Sequence, residues 1–215
     1  MLVSRMMAPF NAATRTTIGA RVAEFTRLED EATSTQQLKR AAVALVLAQA
    51  DNDASTGLLL TLRASSLRAH SNQWALPGGR CDPGETPAET ALRELDEELG
   101  LRLGADDVIG MLDDYPTRSG YLITPVVMWA DDSRQLVPNP DEVASVHRIA
   151  LTELLRPQAF DFISIPESER RVIRYSHFGH RIHAPTAALI YQFSELLAGR
   201  ITRVAELEQP VFAWK

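Results

Sequence analysis

The stretch from Gly79 to Leu101, GRCDPGETPAETALRELDEELGL, gathers acidic side chains at spacings that could do chemistry. On an α-helix successive residues turn by about 100°, so Glu94, Glu97 and Glu98 fall within an arc of roughly 100°. Like charges held on one helical face repel one another. Such a cluster becomes favourable when hard divalent cations sit among its oxygens. The chemistry open to it is cation binding and, with a cation, work on an anionic substrate. A bare E-x-x-E-E is more often a solvated helix face, so the weight falls on what surrounds it.

The surroundings predict a well-delimited helix over 86–99. Thr86 is placed to cap it, Pro87 occupies its first position, Glu89 completes a capping box and Gly100 ends it. Ala88, Ala91, Leu92, Leu95 and Leu99 form the apolar stripe that would anchor it on a sheet, while Glu89 and Asp96 point elsewhere. The preceding loop, Leu76-Pro77-Gly78-Gly79, carries two glycines, which let a backbone come close to a ligand or metal.

Elements that could position this helix surround it. Strands are expected at 41–49, 57–63, 108–112, 121–130 and 143–149. A helix could form over 21–28 and a helical turn over 152–155. A hairpin is expected from 172–177 and 181–183 around Gly179, and a closing helix at 187–197. Strands and helices mix without strict alternation, which favours an α/β fold with a mixed sheet and helices on its faces. The expected division is an N-terminal extension, 1–38, partly helical, followed by one domain over 39–215.

Composition narrows the class. The chain has 215 residues, 45% of them hydrophobic and 23% charged, which is ordinary for a globular domain with a real core. Net charge is −6, so no basic surface recommends it to nucleic acid, and an anionic substrate must be met by local cations or metal. Cys81 is the single cysteine, which excludes an intrachain disulfide and fits a reducing compartment. No apolar run is long enough to span a bilayer as a helix. Arg5, Arg15 and Arg21 precede the first acidic residue, Glu24, a pattern mildly like an organellar transit peptide; an ordinary extension in a cytoplasmic protein is the preferred reading.

The segment resembles the box of the Nudix hydrolases, G-x5-E-x7-R-E-U-x-E-E-x-G-U, where U is bulky and aliphatic. Gly79, Glu85, Arg93, Glu94, Leu95, Glu97, Glu98, Gly100 and Leu101 satisfy every fixed position. Seven of these demand one residue type, so chance agreement at a given start is on the order of 10⁻⁸. The resemblance implies a Nudix-type α/β/α sandwich and water attacking a diphosphate with Mg²⁺ or Mn²⁺ bound. By the same resemblance Glu94, Glu97 and Glu98 are the expected ligands, joined by the backbone carbonyl of Gly79. Glu94 or Glu98 would accept a proton, and Arg93, Glu85 and Gly100 would be structural. Glu142, just before a predicted strand, matches a further acid that some relatives use, although a solvated loop position is the preferred reading.

Upstream, Leu59-Leu60-Thr61-Leu62-Arg63-Ala64, Arg68 and Leu76-Pro77-Gly78-Gly79 resemble the coenzyme A pyrophosphatase subgroup, with Asn72 where its signature has glycine. Thr117-Arg118-Ser119-Gly120-Tyr121 and Ala184-Pro185-Thr186 extend the likeness, which runs from about Ala41 to Leu197. It implies coenzyme A or an acyl-coenzyme A as substrate, giving 3′,5′-ADP and 4′-phosphopantetheine. The 3′-phosphate of coenzyme A calls for cations beyond the metal, and Arg63 and Arg68, with His70 beside them, are the candidates. The alternatives are a Nudix enzyme for ADP-ribose or a modified nucleoside triphosphate, and a silent domain that senses a nucleotide. A homodimer is expected from family analogy alone. His177, His180 and His183 invite a zinc reading, but in one straight strand residues three apart face opposite ways.

Overall fold

Strand β1 (Lys39–Gln49) organises the molecule. Ala42, Ala44, Val46 and Ala48 point to one side of it, and Leu45 and Leu47 to the other, all fully buried. Burial on both faces is why this segment is a nearly continuous apolar run. The computed structural model describes residues 9–28, 38–51, 54–65, 73–131, 135–177 and 179–210.

Around β1 lies an eight-stranded sheet with β2 (Thr56–Arg63), β3 (Trp74–Ala75), β4 (Gly78–Arg80), β5 (Val108–Met111), β6 (Tyr115–Pro116), β7 (Tyr121–Trp129) and β8 (Val143–Ala150). β7 runs parallel to β1 and the remaining pairs are antiparallel, so the sheet is mixed, as expected. β1 changes partner along its length. Ala41, Ala42 and Val43 pair with Arg80, Gly79 and Gly78, whereas Leu47, Ala48 and Gln49 pair with Leu58, Gly57 and Thr56. β3 pairs with β2, so Leu76 and Pro77 cross from one partner to the other, and the sheet forks there. The crossing is pinned by the Ala44 N–H, which donates to the Pro77 carbonyl at 2.8 Å.

Helices cover both faces, the sandwich expected of the family. Helix α2 (Pro87–Leu99) sets Ala91, Leu95 and Leu99 against Ala42, Ala44, Val46, Val126 and Met128. Each buried leucine there contributes roughly 2 kcal/mol. The opposite face is covered by α1 (Ala12–Glu24), the short α3 (Leu151–Leu154) and α4 (Thr186–Leu197). A three-stranded antiparallel sheet of β9 (Phe160–Ile165), β10 (Ser168–His177) and β11 (His180–His183) completes that side. No described helix is long and apolar enough to cross a membrane.

One expectation needs correction. The helix expected over 21–28 instead begins nine residues earlier, at Ala12, where Asn11 caps it by accepting from the Thr14 N–H at 2.9 Å. It is fixed by Ile18 and Val22, which insert into the main core, while Phe25–Leu28 leave the helix. The structure adds strand β9, which pairs with β10 through Phe160, Asp161, Phe162 and Ile163.

Candidate active site

Helix α2 begins where its sequence says it should. The Thr86 hydroxyl accepts from the Glu89 N–H at 3.3 Å, and the Glu89 carboxylate accepts from the Thr86 N–H at 2.8 Å. Gly100 closes the helix in the left-handed conformation, φ 62°. With the apolar stripe on the sheet, the carboxylates flanking it are carried to the fork beside Gly78 and Gly79.

Arg93 ties this helix to the loop before it. Its Nε and Nη2 donate to both oxygens of Glu85 at 2.9 and 3.1 Å, and Nη2 also donates to the Arg80 carbonyl at 3.0 Å. Its Nη1 donates to Glu94 at 2.9 Å and Glu97 at 3.0 Å. Glu85 further accepts from the Asp82 N–H at 3.0 Å and the Thr90 hydroxyl at 2.8 Å. The hydrogen bonds from Arg93, then from Asp82, pull the Glu85 carboxyl down to a pKa of about 2. A planar guanidinium forking onto a carboxylate is the arrangement that fixes geometry best.

The three box glutamates are not equivalent. The Glu98 side chain is 4% exposed and that of Glu94 14%, whereas that of Glu97 is 55% exposed and leans outward onto Arg93. Burial pushes the Glu98 carboxyl up to a pKa of about 8, against the pull of Arg63 at 3.8 Å and a hydrogen bond from the Gly78 N–H; the charges of Glu94 and Glu142 raise it further. Burial also raises Glu94, with Glu97 and Glu142 adding to the shift and Arg93 opposing it. Glu142 is thus an electrostatic neighbour of the pair. Its side chain accepts from Asn139 at 3.2 Å, and the Asn139 N–H is bonded to the Glu98 carbonyl at 2.8 Å.

Gly79 lets the backbone close on Glu94, and Gly78 lets it close on β1. A Cβ at Gly79 would lie 2.2 Å from Oε1 of Glu94, and one at Gly78 would lie 2.2 Å from the Ala42 carbonyl oxygen. Gly78 also has φ 152°, which side-chain-bearing residues avoid. Two clustered carboxylates of raised pKa form an oxygen donor set of the kind that suits Mg²⁺ or Mn²⁺. Among the described residues no three acidic, histidine or cysteine side chains are arranged to ligate one ion. The structure brings Glu94 and Glu98 together and leaves Glu97 on Arg93.

The cation candidates separate. Arg63 faces Glu98, and its Nε is buried with no hydrogen-bond partner among the described residues. Arg68 and His70 lie outside the described residues. A cleft of about 430 Å³ opens from the fork toward α4, lined by apolar Val43, Leu76, Ile123 and Leu189 and by Trp74, Thr117, Ser119 and Gln209. Arg63 and Arg80 line it. The sequence reading missed Arg80, Trp74 and Gln209. The alternation of β1 and β4 could have indicated Arg80, but Gln209 comes from far along the chain, where its side chain accepts from the Arg118 N–H, 91 residues away, at 3.0 Å. His177 and His180 do not lie in one straight strand. They face each other across the β10–β11 pairing and both meet Trp74, at ring distances of 5.4 and 5.7 Å, with His147 on Trp74 at 4.7 Å.

Comparison with known proteins follows the same residues. The NUDIX domain model matches residues 38–166. The chain is 35% identical over 141 residues to an uncharacterized Nudix hydrolase, NudL, of Photorhabdus laumondii, which spans 64% of this chain and 75% of that protein. Over 119 residues it is 36% identical to a Mus musculus protein named peroxisomal coenzyme A diphosphatase NUDT7, spanning 55% of this chain and 50% of that one. Among solved structures, a MutT/nudix family protein of Enterococcus faecalis shares the fold, with a TM-score of 0.54 at 17% identity over 83% of this chain and 69% of that one.

Proposed function

The chain belongs to the Nudix hydrolase family, whose members cleave diphosphate linkages, and from that premise we propose that it hydrolyses coenzyme A or an acyl-coenzyme A to 3′,5′-ADP and 4′-phosphopantetheine. The observation that carries the reaction is the pairing of Glu94 and Glu98 at the glycine fork, directly beside a cleft that can take the rest of a substrate. The substrate reading is supported by the Leu59–Ala64 and Leu76–Gly79 segments and by the name of the Mus musculus relative.

Nudix hydrolases generally use divalent metals. Glu94, Glu98, Glu97 and the Gly79 carbonyl would hold Mg²⁺ or Mn²⁺ here, with Glu97 swinging in from Arg93 and Glu142 close at hand. When bound, the ion neutralises phosphate charge and acidifies the attacking water. The chain's own groups do the rest. Arg93 and Glu85 keep Glu94 and the Gly79–Glu85 loop in register, so that reacting atoms meet in a fixed geometry. Glu94 or Glu98 takes the proton released by water. Val43, Leu76 and Ile123 exclude solvent on the cleft side.

Chromatography of products from coenzyme A, acyl-coenzyme A, dephospho-coenzyme A, ADP-ribose and a modified nucleoside triphosphate, each with Mg²⁺ or Mn²⁺, tests the proposal. The expected result is cleavage of coenzyme A into the two named products. Turnover of ADP-ribose with coenzyme A untouched would overturn the substrate. Nucleotide binding without any turnover would turn the chain into a sensor.

A further inference from the structure

Alternation along β1 and β4 separates two sides of the sheet. Gly79 lies opposite Ala42, on the α2 face, where it touches Glu94. Arg80 lies opposite Ala41, and directly paired residues of antiparallel strands put their side chains on the same side. Ala41 pairs in turn with Ile123 of β7, and Tyr121 is two residues before Ile123 on the same face. The Arg80 side chain is thus directed into the cleft, away from the acidic helix, and its guanidinium carbon stands 5.2 Å over the Tyr121 ring.

Arg80 also differs from the other cleft arginine in its partners. Arg63 is engaged by Glu98, whereas no carboxylate among the described residues lies within ion-pairing distance of Arg80. A guanidinium resting on an aromatic face keeps its edge donors available for an anion. Hydroxyls of Thr117 and Ser119 stand in the same wall.

We propose that Arg80, seated on Tyr121, is a specificity-determining residue that receives a phosphomonoester of the substrate separate from the scissile diphosphate. The separation follows from the sheet, since the diphosphate belongs with Glu94 and Glu98 on the other face. The assignment rests on the coenzyme A reading, in which the 3′-phosphate is that group.

The test is calorimetric titration of the whole chain in EDTA with 3′,5′-ADP, 5′-AMP and 2′,5′-ADP, on the wild type and on R80Q, R80K and Y121L. The wild type should prefer 3′,5′-ADP over 5′-AMP by at least about tenfold, as a charge-assisted bidentate contact implies. R80Q should bring that ratio to about one, while R80K, lacking the planar fork, and Y121L, lacking the platform, should fall between. An unchanged ratio in R80Q overturns the proposal. So does a wild type that binds neither nucleotide, binds 3′,5′-ADP and 5′-AMP equally, or holds 2′,5′-ADP as tightly as 3′,5′-ADP. Hydrolysis of another diphosphate with coenzyme A untouched would refute the substrate instead, and the affinity ratio would still decide Arg80.

Discussion

Replacing Gly79 with alanine should separate catalysis from folding. The added Cβ would stand 2.2 Å from Oε1 and 2.6 Å from Cδ of Glu94, where ordinary contact begins at 3.4 Å. The carboxylate must therefore retreat by about 1 Å (3.4 − 2.2). It sits at the end of a flexible side chain, so the retreat is cheap for the fold, about 1 kcal/mol or less. For chemistry it is not cheap, because a displacement near 1 Å can cost about a hundredfold, which is about 2.7 kcal/mol of barrier. Gly78→Ala gives the contrast. There the Cβ meets backbone, 2.2 Å from the Ala42 oxygen and 2.7 Å from the Val43 Cα, at φ 152°. Strain and overpacking together should cost about 2–5 kcal/mol of stability. Steady-state hydrolysis and thermal unfolding of both variants test this. A G79A protein with wild-type kcat, or one that unfolds as readily as G78A, would refute the argument that Glu94 is held against a bare backbone for its chemistry.

Further outcomes follow from the same geometry. Glu98→Gln should abolish metal-dependent turnover while leaving the unfolding temperature equal or higher, since a neutral amide suits this buried position better than a carboxylate of raised pKa; retained activity would remove Glu98 from the site. Saturating Mg²⁺ should raise the unfolding temperature of the wild type by binding only the folded acid cluster, and should raise that of E98Q less; equal shifts would place the ion elsewhere. His177 has its pKa lowered from 6.5 to about 4, by burial first and then by His147 and His180. Above pH 6.5 it is neutral folded or unfolded; as pH falls toward 4 only the unfolded chain takes the proton, so stability declines across that window. His177→Phe should flatten the urea midpoint between those pH values, and an unaltered slope would contradict the shift.

The sequence exposed the parts whose structure is local. Helix α2 was legible to the residue because its cap, its apolar stripe and its terminating glycine are all written within 86–100. The long strands were legible because two-sided burial demands unbroken apolar runs. Helix α1 was misplaced because Thr16, Thr17 and Gly19 are poor helix formers; Ile18 and Val22 hold it from outside. Strands β3, β4 and β6 have two or three residues each and exist through pairing alone. In the site, the box named the acids but not their inequality. Nothing in the spacing says that Arg93 draws Glu97 outward or that Arg63 faces Glu98, since both depend on how sheet and helix meet.

The alternation of β1 between two buried faces has a consequence for how such a protein can diversify. Neighbouring positions on that strand serve different masters: Ala42 supports the side that carries Glu94 and Glu98, Ala41 the side on which the cleft opens. Substitutions at the odd positions can reshape selectivity with the acids undisturbed, and those at the even positions can do the reverse. A slip of a single residue in that strand would exchange the two sets wholesale, so the freedom to evolve new tastes is bounded by the need to keep this one alignment.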